Sequence, residues 1–237
     1  MPERKIIPIN MIEQPDDSTC GPVSLLSVYN YLGIEIDLET LLKDISSFAD
    51  GGTLAVFLGI DALKRDLNAE LISYNLEMFD PTWANLDSAG LIEKLTAQMR
   101  VKTRPKFLAA SQAYIKYLSL GGKILFRDLS PTLFREYLKQ ELPILTGLSA
   151  TYLYNCSRES VLSPEKLVPD DINGKPVGHF VVLNGVEGSN ILVSDPYSDN
   201  PYGSDLQYSV TVDHLMHSIL LGVVTYDANL LILSKKD

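Results

Sequence analysis

Near residue 140 the hydrophobic pattern of the chain changes period, and that change restricts the folds open to it more than any other feature. Before it, apolar residues recur at the spacing of helices that bury one face. The clearest case is Thr19 to Leu32, where Val23, Leu25, Leu26, Tyr29 and Leu32 are apolar, Pro22 suits a first helical turn and Gly33 stands just past the end. Similar patterns predict helices over Leu38 to Ala49, Thr53 to Leu67, Ser88 to Val101 and Lys106 to Leu118, with Asp37, Gly52 and Asp87 as caps. The stretch Leu76 to Asp87, which holds Pro81 and the single tryptophan, Trp83, reads as loop. A short β-like run, Lys123 to Phe126, follows Gly121-Gly122, and Ser130-Pro131 opens a last helix to Gln140.

Beyond that point the pattern is of strands: Pro143 to Leu148, Thr151 to Asn155, His179 to Val186, Asn190 to Ser194 and Gly222 to Leu233. Glu187-Gly188-Ser189 reads as a hairpin turn between two of them. The polar interruption from Ser157 to Gly178, with Pro164, Pro169, Pro176 and Asn173-Gly174, reads as a surface excursion. No internal repeat, heptad run or low-complexity tract is present. The expectation is an α+β fold in one domain over residues 1–237, with helices over about 1–140 packed on an antiparallel sheet over about 141–237.

Charge narrows the partners. Thirty acidic residues against twenty Lys and Arg leave a net charge of −10, which repels phosphate backbones and anionic membranes, and no basic patch offsets it. The opening MPERKIIPIN lacks the apolar run of a signal peptide, and the longest apolar stretch, Ile219 to Val224, is far too short to span a bilayer. The expectation is a cytoplasmic protein without nucleic-acid or membrane partners. Its two cysteines, Cys20 and Cys156, read as separate thiols rather than a disulfide framework.

The chemistry-bearing stretch is Gln14-Pro-Asp-Asp-Ser-Thr-Cys20-Gly-Pro, a loop that runs into a buried-looking helix with a cysteine at the junction. A thiol there faces free backbone N–H groups and the positive end of the helix dipole, which favour the attacking thiolate. Gly21 leaves space beside the sulfur for substrate, the N–H of Cys20 can donate to an oxyanion, and the Gln14 amide can supply a second donor. Of the three histidines, His179 is the choice for the base, because it opens a strand whose end can meet a helix N-terminus. Asp195 closes the next strand and a hairpin brings it alongside, where it can hold the imidazole and fix its tautomer.

On Gln14 with Cys20-Gly21-Pro22, then Gly178-His179-Phe-Val-Val, then Asp195-Pro196, the chain resembles the C39-like peptidase family of the papain-like fold. The resemblance implies a cysteine peptidase: Cys20 as nucleophile, His179 as base, Asp195 as the orienting carboxylate and Gln14 at the oxyanion. It implies proteolysis of a peptide, or hydrolysis of a small amide, through an acyl-thiol and without a cofactor. Gly21, Gly178 and Tyr197 are expected at the substrate. The motifs cover about a fifth of the chain, and the helices from Leu38 to Gln140 carry no assigned signature.

Plainer readings stand beside these. Gln14 can simply tie its loop, and Asp195 can be a turn residue before Pro196, with Asp199 or Asp205 in the orienting role. Asp16 and Asp17 would oppose thiolate formation if they pointed inward; in solvent they can select a basic substrate group. His214 and His217 read as polar positions on a helix face rather than metal ligands, since no further ligand cluster accompanies them. Cys156, with no base in sight, reads as structural. Gly121-Gly122-Lys123 lacks the rest of a phosphate loop. Two functional alternatives to hydrolysis remain: an acyl or peptidyl transferase using the same thiol, and a silent papain-like module that binds a peptide or partner. The oligomeric state is not readable from the chain.

Overall fold

A computed structural model describes residues 4–47, 52–163, 166–203, 205–226 and 228–236. The chain begins with strand β1 (Arg4–Ile6) and enters helix α1 (Cys20–Leu32), in which nearly every residue is buried. Its apolar residues cover more than one face, so α1 is a core helix. Gly33 ends it at φ +74, a conformation that costs a residue without Cβ least. Helices α2 (Leu38–Asp44) and α3 (Ala55–Lys64) follow, then strand β2 (Leu67–Ser73). A 3-10 turn at Pro81–Trp83 leads to α4 (Ser88–Met99), α5 (Pro105–Ser119), β3 (Lys123–Leu125) and α6 (Pro131–Lys139).

The rest comprises β4 (Ile144–Ser149), the single turn α7 (Ala150–Leu153), β5 (Glu159–Ser163), β6 (Lys166–Pro169), β7 (Gly178–Glu187), β8 (Asn190–Ser194), β9 (Gln207–Thr211), α8 (Val212–Leu221) and β10 (Asn229–Lys235). The main sheet runs β3-β2-β10-β4-β7-β8-β9, with β1 beside the far end of β7, while β5 and β6 form a separate hairpin. Every pairing is antiparallel except that of β2 with β3. Buried side chains from the helices and both halves of the chain join in one hydrophobic cluster. Helix α1 packs on β7 and β4, α3 on β2 and β10, and α8 on β4. No helix among the described residues is long and apolar enough to cross a membrane.

The protein has the expected α+β class, a helical first half on a large antiparallel sheet, with informative departures. The first half also contributes β1, β2 and β3, so the sheet is not confined to the second. The helix expected from Thr53 begins at Ala55 without Gly52 as its cap and stops at Lys64, because Asp66, at φ 64, turns the chain into β2. The helix expected to Ala49 ends at Asp44, and residues 48–51 lie outside the described part. Thr151 to Asn155 is helical to Leu153 and then a turn, rather than extended: Ser149 accepts a hydrogen bond from the Tyr152 N–H and opens the helical part. Of Gly222 to Leu233 the first residues form a 3-10 turn, and extended pairing starts at Asn229. Asp37, Asp87 and Ser130 do cap their helices.

Candidate functional site

The loop before α1 is knitted around Asp16. Its carboxylate accepts from the Ser18 N–H and hydroxyl at 2.8 and 2.7 Å, and its carbonyl accepts from Gln14 Nε2 at 2.8 Å and Thr19 Oγ1 at 3.0 Å. Thr19, the residue before the helix, therefore makes no side-chain cap. Cys20 is the first helical residue, so its N–H is one of those without an intrahelical acceptor. A second tie fixes the helix in place: Ser24 Oγ donates to Phe180 O at 3.2 Å, which sets the first turn of α1 against the start of β7.

His179 stands at that start, opposite Leu148 of β4. Its Nε2 lies 2.8 Å from Asp195 Oδ1, with the histidine 6% and the aspartate 0% exposed. Asp195 follows β8, held by its own N–H on Leu206 O at 2.8 Å. Its carboxylate is fully engaged. Oδ1 also accepts from the Tyr197 N–H at 2.9 Å, and Oδ2 accepts from Tyr154 Oη at 2.7 Å and Tyr208 Oη at 2.6 Å.

Electrostatics follow from this burial. Removal from water disfavours the charged imidazole, yet the Asp195 charge and hydrogen bond, with a hydrogen bond to Cys20, outweigh it and raise the His179 pKa to about 10. Burial likewise opposes the Asp195 carboxylate, but His179, Tyr208 and the Tyr197 N–H lower its pKa. Burial and the Asp195 charge push both phenols far up, so Tyr154 and Tyr208 remain protonated donors.

A cavity of about 450 Å³ opens beside His179, within the range of small-ligand sites. Gln14, Gly178, His179 and Tyr197 line it. Cys20 is not in its wall; its side chain is buried and reaches His179, which is. Gly21 offers no open space, since a Cβ there would come 2.5 Å from Thr53 Cγ2 and 3.3 Å from Phe180. Its smallness serves packing of the helix start. Gln14 Nε2 gives one hydrogen to Asp16 O, and its Oε1 is buried without a partner. Asp199 also lines the cavity, but the hydrogen bond to the imidazole is made by Asp195. His214 and His217 are on α8, each against the Tyr152 ring.

Several participants escaped the sequence reading. Tyr154 and Tyr208 reach Asp195 from α7's end and from β9, a strand that the sequence pattern did not mark. Cys156 is exposed and lines the same cavity, brought there by the turn that replaces the expected strand. A polar alternation over Gln207 to Thr211 was the available signal for β9.

No family model and no curated protein sequence matches the chain. Among solved structures, a protein from Bacillus anthracis described as a C39-like peptidase superposes with a TM-score of 0.51 at 16% identity, over 99% of each chain. A double glycine motif protease from an AMS/PCAT transporter, in complex with the leader peptide, matches over 98% of this chain and 95% of its own at 13% identity and a TM-score of 0.46. The chain has the papain-like fold of the C39-like peptidases.

Proposed function

We propose that the chain is a cysteine hydrolase that cleaves a peptide or other amide bond, with Cys20 as nucleophile, His179 as base and Asp195 as the positioning carboxylate. The observation that carries this reading is the buried His179–Asp195 pair at 2.8 Å, in contact with a thiol at the uncapped start of α1. Because Asp195 engages Nε2, the nitrogen left to exchange a proton with the thiol is Nδ1. Sulfur attacks the amide carbonyl, and the oxyanion is met by the Cys20 N–H and the second amide hydrogen of Gln14. His179 protonates the leaving amine as the acyl-thiol forms. It then takes a proton from water, which attacks the thioester and frees the acid and the thiol. An amine in place of that water would give transfer by the same route.

The test is the rate of iodoacetamide labelling at Cys20 from pH 4 to 10, read by peptide mass spectrometry, in the wild type and in His179→Ala. Labelling near neutrality that slows at least tenfold in the variant supports the pair. Equal rates in both proteins would remove the base, and a peptide-binding cleft without chemistry would take the enzyme's place.

A further inference from the structure

The cavity beside His179 is acidic, and its acid is unspent. Asp17 arrives from the loop before α1, Glu159 from the first residue of β5 and Asp199 from the loop after β8. Among the described residues no hydrogen bond or ion pair reaches any of these carboxylates. They converge from separate elements on one place. Burial and then the Asp17 charge raise the Glu159 pKa, and after burial the Tyr197 phenol is raised by Asp199, Asp17 and Glu159 together.

Among the described residues no Lys or Arg lines the cavity. Arg158 nearby is committed to the carbonyls of Asp171 and Ile172. Lys175 pairs with Glu159 through the backbone alone among the described contacts. The charge on His179 is already met by Asp195. Gln14 Oε1, on a wall residue and shut off from solvent, adds an acceptor that no donor among the described residues fills. A buried acceptor without a donor is costly to leave so, and a ligand N–H would satisfy it.

We propose that the cavity receives a cationic group of a peptide substrate, a lysine or arginine side chain or a free amino terminus, held by Asp17, Glu159 and Asp199 while the scissile amide lies at Cys20. This rests on the reading of Cys20 as the nucleophile. An acid-lined cleft concentrates cations and excludes anions, so selection acts on approach as well as on binding.

The test compares labelling of Cys20 in the full chain at pH 7 by 2-bromoethylamine, iodoacetamide and iodoacetate, which are cationic, neutral and anionic, each scaled to its rate with free cysteine. In the wild type the cationic reagent should be favoured over the neutral one by about tenfold, and the anionic one disfavoured. The Asp17→Asn, Glu159→Gln, Asp199→Asn combination should bring both ratios within about twofold of unity. The control Glu35→Gln, Glu93→Gln, Asp128→Asn combination, which removes equal charge outside the cavity, should leave them. Should the combined cavity variant fail to fold, Glu159→Lys alone must reverse the order of cationic and anionic reagents. Peptidyl chloromethyl ketones bearing either lysine with an acetylated amino terminus or norleucine with a free one distinguish the two sources of the cation. Ratios near unity in the wild type, or unmoved by the cavity substitutions, overturn the proposal. If iodoacetamide labelling still depends on His179 in that case, the hydrolase reading survives; if it does not, that reading has failed first.

Discussion

At Asp195 both carboxylate oxygens are claimed, by an imidazole, a backbone N–H and two phenols. Removing one donor tests how much the arrangement depends on the set. Tyr208→Phe leaves Tyr154 on the same oxygen and should cost about 1–3 kcal/mol in urea unfolding, because an ionised acceptor inside the protein loses a partner. The imidazole gives a second prediction. Its folded pKa is raised from 6.5 to about 10, so its share of stability is full below about pH 6.5 and is lost as pH climbs through 10. The depressed Asp195 makes its share present above about pH 3.8 and lost as pH falls through its lower folded value. The melting temperature of the wild type minus that of His179→Gln should therefore be largest between about pH 4 and 6.5 and shrink toward pH 10; a constant difference would mean an uncharged ring. Cys20, His179, Asp195 and Gln14 were legible as candidates because each is a reactive type at a junction of elements. Tyr154 and Tyr208 were not, since a phenol's role depends on which strand lies beside which. Cys156 looked structural because its sequence neighbours hold no base, and only the turn of α7 takes it to His179's cavity.

Among the elements, β7 does most to position the site. Its first half pairs with β4, placing His179, and its last residues pair with β1. From there Ile7 and Asn184 exchange hydrogen bonds, Gln207 Nε2 donates to Ile9 O, and the Gln14 N–H donates to Pro196 O, so the segment leading to α1 is tied beside Asp195. Gly185 sits at this seam, where a Cβ would lie 2.6 Å from Lys5 O and 2.8 Å from Leu192. Gly185→Ala should cost about 1–3 kcal/mol by overpacking and speed amide exchange at Lys5 and Ile7, with the β4–β7 amides still protected. Gly21→Ala, against Thr53, should push the first turn of α1 away from β7 and slow Cys20 labelling more than it lowers the melting temperature. The hairpin of β7 and β8 was readable from Gly188, which takes φ +62 in a two-residue turn between Glu187 and Asn190. β2 was not, because Asn68 and Glu70 interrupt its apolar run and α3 precedes it by two residues only. Its strand character comes from pairing with β10, the last strand of the chain.

Over the whole molecule, the change of period near residue 140 described the layering but not the closure. The first half contributes three strands to the sheet, β1, β2 and β3, and the last strand lies between β2 and β4 near its middle. A second charged cluster lies in the helical half around the buried Asp61: Tyr29 Oη donates to Asp61 at 2.7 Å, and Arg65 bridges Asp61 at 2.8 Å to the more exposed Asp44 at 2.6 Å. Asp61 is 2% exposed, so Asp61→Ala, which leaves a phenol and a guanidinium without their shared acceptor, should cost about 3–5 kcal/mol in urea unfolding. The pairing that ties α1 to β7 is long-range, Ser24 meeting Phe180 across 156 of the 237 residues. Protein synthesis runs in one direction, so the ribosome makes the proposed nucleophile well before its proposed base and orienting carboxylate. Through that interval Cys20 is an ordinary thiol on an unfinished chain. On that proposed reading a growing or prematurely ended product lacks the partners of Cys20, and the order of manufacture would act as a safety catch released when β7 and β8 close.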